Sequence, residues 1–209
     1  MICTRLFDIV MRSVVACALA TPAAACFAAT ILVFGDSLST GYGLPREQGW
    51  VQLLEQRLRA EKRDYKVVNA SISGETTTGG VSRIDAALKA HRPAVVILEL
   101  GGNDGLLGSD PRAIRENLEA ISDACRRAGA RVLLVGIRVP PNYGADYAEK
   151  FQGVFAAVAR SRKLSLVPFV LDGFSDDRNL FLEDGIHPNA AAQPLMLETV
   201  WKELLPLLR

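Results

Sequence analysis

Four short stretches of the chain carry groups that could do chemistry together. Ser37 stands in Gly35-Asp36-Ser37-Leu38-Ser39, a hydroxyl just past the apolar run Ile31–Phe34. Gly74 lies in Ser71-Ile72-Ser73-Gly74-Glu75-Thr76, and Asn103 in Gly101-Gly102-Asn103-Asp104-Gly105. Asp184-Gly185-Ile186-His187-Pro188 comes near the end. Acyl transfer needs a nucleophile, a base to take its proton and donors aimed at the charge that develops. Ser37 offers the nucleophile. Asp184 and His187 are spaced i, i+3, which on a helical turn puts both on one side, so the carboxylate can hold the imidazole tautomer while the other ring nitrogen takes the serine proton. Gly74, lacking a side chain, lets a backbone N–H approach a ligand oxygen, and the amide of Asn103 between glycines can donate to an oxyanion. Each stretch also has an ordinary reading. A serine after Gly-Asp caps a turn, a lone glycine punctuates a loop, an asparagine among glycines forms a turn, and His187 is a surface residue in a loop.

The elements between these stretches decide whether they can meet. Ile31–Phe34 reads as a short buried strand. Trp50, Leu54 and Leu58 mark a helix over Gln48–Ala60, and Tyr65–Ala70 reads as a second strand. Val81, Ile84 and Leu88 mark a second helix by their +3, +4 spacing. Pro93–Leu100 is the most apolar strand, which suits the sheet centre. A loop over Gly101–Ser109 leads to a helix that starts at Asp110-Pro111, keeps Ile114, Leu118, Ile121 and Cys125 on one face, and stops at Gly129. Arg131–Ile137 is the fourth strand, Tyr147, Phe151, Val154 and Val158 give another helix, and Leu164–Phe169, broken by Pro168, is a fifth strand at an edge. A closing helix covers Ala190–Leu207. Strands alternating with helices specify an α/β fold around a parallel sheet, with 2-1-3-4-5 the simplest order. In such a sheet every strand delivers its following loop to the same edge, so Ser37, Gly74 and Asn103 gather there. His91 precedes its strand and belongs to the opposite edge. Asp36 is structural, fixing the turn before Ser37.

Composition narrows the class further. Of 209 residues, 49% are hydrophobic and 22% charged, which suits one well-buried domain. Arg12 precedes the apolar run Ser13–Ala25, and Cys26-Phe27-Ala28 places small residues where a leader peptidase cuts, so residues 1–28 read as a cleaved signal peptide and 29–209 as the mature domain. Met11 is an alternative start, and the contexts of Cys17 and Cys26 are poor for a lipid anchor. Loss of the leader removes Arg5, Arg12 and Asp8 and leaves 22 basic and 22 acidic residues. A balanced charge without a basic block implies neither nucleic acid nor an anionic membrane surface as partner. The mature chain keeps only Cys125, a core residue, so no internal disulfide forms. Export without disulfides suits the periplasm or secretion. Two histidines, His91 and His187, are too few for a multi-histidine metal site.

Taken together and in order, the four stretches resemble the SGNH hydrolases, also called GDSL esterases. Val68-Asn69-Ala70-Ser71-Ile72-Ser73-Gly74 and Glu99-Leu100-Gly101-Gly102-Asn103-Asp104-Gly105 look especially like the periplasmic multifunctional thioesterase/lysophospholipase branch, which includes arylesterases. The resemblance implies a three-layer α/β/α, flavodoxin-like fold with a five-stranded parallel sheet and no cofactor or metal. It implies Ser37 as nucleophile, His187 as base, Asp184 as its orienting acid, and Ser37 N–H, Gly74 N–H and the Asn103 side chain as oxyanion donors. Aryl esters, short-to-medium acyl esters, acyl-CoA thioesters and lysophospholipids are the implied substrates, small molecules all. Leu38, Tyr42, Leu106, Pro140 and Tyr143, apolar or aromatic residues of the edge loops, could line an acyl or aryl groove. Carbohydrate deacetylation is a rival within the same family. A flavodoxin-like nucleotide-binding module is the rival from another class, and no glycine-rich phosphate loop follows a strand here.

Overall fold

In a computed structural model the described residues are 28–208, so nearly all of the expected leader, residues 1–28, lies outside them. Five strands, β1 Ala29–Gly35, β2 Tyr65–Asn69, β3 Val95–Glu99, β4 Arg131–Val135 and β5 Ser165–Val167, form one sheet in the order β2-β1-β3-β4-β5. Every pairing is parallel, as the expected 2-1-3-4-5 order requires. The central β3 is buried along its whole length, and the core of β1 with it, because helices cover both faces. Helices α2 (Trp50–Ala60) and α7 (Gln193–Leu204) pack together, while α3 (Thr77–His91), α5 (Pro111–Arg127) and α6 (Ala145–Arg162) pack in sequence on one another. This is the three-layer arrangement. Two single-turn helices, α1 (Ser37–Thr40) and α4 (Gly102–Leu106), complete the set.

Local chemistry accounts for most boundaries. Asp110 caps α5 by accepting from Arg112 N–H, and Pro111 opens the helix where a missing N–H costs nothing. Its stripe Ile114, Leu118, Ile121 and Cys125 is buried, and burial pushes the Cys125 thiol up to about 12, which makes it an inert core residue. β5 stops at Val167 before Pro168 and lies at the sheet edge. His91 ends α3, exposed, ahead of β3.

Strands β2 to β5 are a residue or more shorter than the sequence suggests, and other details differ from the expectation. Val81 does not face the core: it is exposed, and α3 turns Thr77, Gly80, Ile84 and Leu88 inward instead. Gly80 is what lets the helix approach, since a Cβ there would fall 2.6 Å from Leu100 Cδ1. The segment Gly101–Ser109 is not all loop, because Gly101 at φ 118 starts the turn of α4. The helix expected over Gln48–Ala60 begins at Trp50, since Arg46–Gln48 form a separate 3-10 turn and Gly49 is extended. The closing helix is shorter than Ala190–Leu207, with Pro194 in its first turn and a 3-10 turn over Leu205–Leu207 at its end.

Past the end of β4, Gly136 donates to Val167 O (2.8 Å) and accepts from Val170 N–H (3.0 Å). A Cβ at this position would lie 2.4 Å from Pro168 O, a backbone atom that cannot step aside. Gly136→Ala is therefore expected to lower stability by about 1–3 kcal/mol in urea unfolding; an unchanged midpoint would show that the β4–β5 edge gives way freely.

Candidate active site

β1 runs straight into the first of the gathered groups. Asp36 follows its last residue and caps α1, accepting Leu38 N–H on Oδ1 (3.0 Å), so Ser37 becomes the first residue of a helical turn. Gly41 at φ 73 closes that turn with its N–H on Ser37 O. Trp50 Nε1 donates to Leu38 O (3.1 Å) and Asn69 Nδ2 to Ser39 O (2.7 Å), so α1 is held from α2 and from the end of β2. The turn is rigid because its backbone is spoken for.

His187 reaches Ser37 from the segment between β5 and α7. Leu182 N–H donates to His187 O (2.8 Å), Asn189 N–H to Leu180 O (2.8 Å), and Phe181 and Pro188 form an antiparallel bridge. The Arg178 guanidinium ties down the carbonyls of Leu182 and Glu183. Gln193, buried at the start of α7, donates to Pro188 O (3.1 Å) and accepts from Trp50 N–H (3.0 Å), which fastens this segment to the start of α2. His187 Nε2 lies 3.0 Å from Ser37 Oγ, and Nδ1 lies 2.7 Å from Asp184 Oδ2.

The i, i+3 reach is real, but no helical turn produces it. Asp184 Oδ1 accepts the N–H groups of both Ile186 (2.8 Å) and His187 (3.0 Å), an Asx turn made possible by Gly185 at φ 71. Partial burial pushes the Asp184 carboxyl up, yet hydrogen bonds from the His187 backbone, the His187 ring and Ile186 N–H outweigh it and hold the group down at about 2. Tyr42 stacks on the imidazole, ring centroids 4.4 Å apart at 35°.

Gly74 and Asn103 come from the loops after β2 and β3. Ile72 N–H donates to Gly35 O (3.0 Å), and the hydroxyls of Ser73 and Thr40 share a hydrogen bond (2.8 Å), which lays the Gly74 loop against the Ser37 turn. Gly74 is exposed at φ 81. Asn103 Nδ2 donates to Asp36 Oδ2 (3.1 Å) and to Glu75 O (2.8 Å), so it bridges the neighbour of Ser37 and the neighbour of Gly74. Both hydrogens of its amide are thereby engaged. The N–H groups of Ser37 and Gly74 donate to no described residue. Asp104, buried beside Asn103, accepts Thr77 N–H (2.9 Å) and Thr77 Oγ1–H (2.6 Å), locking α4 to the start of α3.

Beneath this layer lies a residue the sequence reading passed over. Glu99 ends β3 fully buried, accepting Ser39 Oγ–H (2.7 Å) and Asp36 N–H (3.3 Å) on Oε2, so its carboxyl is fastened to the backbone of Asp36. Burial pushes Asp36 up to about 6 and raises Glu99 well above the ordinary carboxyl range. Gln193, Thr77 and Asp104 were passed over as well. The available signal was an acid closing the most apolar run of the chain.

The expected groove residues separate. Leu38 belongs to the core at 9% exposure, Leu106 and Tyr143 are half-buried and joined by a bond from Tyr143 Oη to Leu106 O (2.8 Å), and Pro140 and Tyr42 are exposed. Ile72, Leu107 and Ile186, large and exposed, flank the same loops. Among the described residues no cluster of three or more His, Cys, Asp or Glu could hold a metal ion.

Residues 33–194 match the GDSL-like Lipase/Acylhydrolase family. The chain is 52% identical over 181 residues to esterase TesA of Pseudomonas aeruginosa, an alignment covering 87% of this chain and 90% of that protein. It is 40% identical over 178 residues to thioesterase 1/protease 1/lysophospholipase L1 of Escherichia coli K12, covering 85% of this chain and 84% of that one. A crystal structure of TesA superposes with a TM-score of 0.84 at 52% identity, over 86% of this chain and 99% of that one. A parallel five-stranded fold, a serine–histidine–aspartate relay at its edge and these likenesses agree: the chain belongs to the GDSL-like lipase/acylhydrolase family of ester hydrolases.

Proposed function

We propose that the chain hydrolyses ester and thioester bonds of small acyl substrates through an acyl-Ser37 intermediate. The observation that carries this reading is the relay itself, His187 Nε2 at 3.0 Å from Ser37 Oγ and Nδ1 at 2.7 Å from an Asp184 held ionised. Ser37 Oγ attacks the carbonyl carbon as His187 Nε2 takes its proton, and Asp184 stabilises the imidazolium that forms. The oxyanion is met by the two unpaired N–H groups, those of Ser37 and Gly74. Asn103 adds its donor by sharing the hydrogen it directs at Asp36. The imidazolium then protonates the leaving alcohol or thiol, and a water activated by His187 releases the carboxylate. The exposed apolar groups Tyr42, Ile72, Leu107 and Ile186 around these loops support an acyl or aryl substituent over a sugar. The names of the relatives, esterase and thioesterase/lysophospholipase, support the same class. The apolar segment Ser13–Ala25 ahead of the domain supports export to the periplasm, and no helix among the described residues is long and apolar enough to cross a membrane.

Ser37→Ala is expected to lower kcat on p-nitrophenyl butyrate by about 10³-fold or more, and a fluorophosphonate should add its mass to Ser37 in the parent protein and not in the variant. Labelling elsewhere would remove Ser37 from the mechanism. Asn103→Ala is expected to lower kcat by about tenfold or more with the fold kept, as read by circular dichroism; unchanged turnover would leave the two backbone donors sufficient. For Asp184, a carboxyl held below its ordinary 3.8 stabilises the fold above that value and loses the contribution as pH falls toward about 2. The stability difference between the parent and Asp184→Asn should thus stay constant from about pH 8 to about pH 5 and shrink below about pH 4. A difference that grows in acid would contradict the assignment.

A further inference from the structure

Two buried acids lie under the turn that carries Ser37. Asp36 and Glu99 are each 2% exposed. None of the ion pairs among the described residues includes either one. The charged groups facing Asp36 are Glu99 from β3, Asp104 from α4 and His187 from the segment before α7; Glu99 faces Asp36. Glu99 Oε2 sits on the Asp36 N–H, and two ionised carboxylates on such close neighbours, without a lysine or arginine, would repel strongly in so dry a place, which favours one proton kept between them. Two glycines make the room. A Cβ on Gly35, which pairs with Glu99 across the strands, would lie 2.6 Å from Glu99 Oε2, and one on Gly102 would lie 3.2 Å from Asp36 Oδ2.

The hydrogen bonds say where the proton sits. Both oxygens of Asp36 accept N–H groups, Oδ1 from Leu38 and Oδ2 from Asn103, which favours its charged form. Glu99 accepts on Oε2 alone. We propose that Glu99 is a positioning residue of the hydrolase: as a neutral acid it donates to Asp36, so that one negative charge on Asp36 holds both the Leu38 N–H behind the nucleophile and the Asn103 amide in place. This rests on the reading of Ser37 and Asn103 given above. The geometry also limits charge. An ionised Glu99 would add its charge to those of Asp36 and Asp104 against the oxyanion forming beside Ser37, whereas a neutral Glu99 adds none.

Glu99→Gln and Glu99→Leu separate this role from mere packing. The glutamine amide can donate to Asp36 while its oxygen accepts from Ser39, and leucine can do neither. Glu99→Leu is expected to lower kcat on p-nitrophenyl butyrate by about tenfold or more with KM within about threefold. Glu99→Gln should restore kcat to within about threefold of the parent. In infrared difference spectra at neutral pH, the parent should show the C=O stretch of a protonated carboxyl that Glu99→Gln lacks. The folded parent retains a proton that its unfolded chain releases, so its stability should fall relative to Glu99→Gln as pH rises from about 4 to about 7. Full turnover in Glu99→Leu would overturn the positioning role, and so would a Glu99→Gln variant as impaired as the leucine one. Absence of the infrared band would overturn the shared proton, and this readout decides the matter if Glu99→Leu does not fold. Failure of the hydrolase reading is recognised separately, by full activity of Ser37→Ala with the infrared band intact.

Discussion

Two central strands covered on both faces must end somewhere, and the polar chemistry of this protein is what their ending requires. β1 and β3 run parallel with Gly35 opposite Glu99, so the first groups beyond the apolar core are a glycine, an acid from each strand and the start of α1. The two carboxyls are out of reach of bulk water and find their partners in the chain. Asp36 takes N–H groups from α1 and α4, Glu99 takes Asp36 N–H and the Ser39 hydroxyl, and Asn103 ties the β1 loop to the β2 loop. The bonds that satisfy the buried groups are also the ones that place Ser37 and Asn103.

The three acids of this region show how environment divides one functional group into separate tasks. Asp184 stands near the surface, 37% exposed at its side chain, and two hydrogen bonds from His187 and one from Ile186 N–H keep it charged. Asp36 and Glu99 stand under the sheet edge, where burial raises both. An ionised carboxylate can stabilise an imidazolium; a neutral one can donate. Depth in the fold is what sets the ionisation tendency of each.

Much of this was legible beforehand because it is periodic. The α5 stripe and the apolar run of β3 announce themselves, and alternation of strands with helices leaves few sheet orders to choose among. The face of α3 was misjudged because Gly80 and Thr77 look neither apolar nor bulky, yet they are what packs inward. Neither α1 nor α4 could be found by pattern, since one turn of helix has no period and each is made by tertiary bonds around Asp36 and Gly101. The pairing of Asp184 with His187 was read correctly from spacing, although Gly185 delivers it through an Asx turn. Glu99 and Gln193 stayed hidden for a common reason: a polar residue at an element end ordinarily meets water, and only the assembled layers show that these two do not.

The bond between residues 187 and 37 spans 150 positions of chain, and the segment that brings the imidazole is tied to the start of α2 through a buried glutamine. Such a contact is among the last to be worth its loop-closure entropy during folding and among the first to be given up on loosening. Catalytic competence is for that reason a stricter gauge of long-range order than helix content, and mild denaturant would silence the molecule while its sheet still stands.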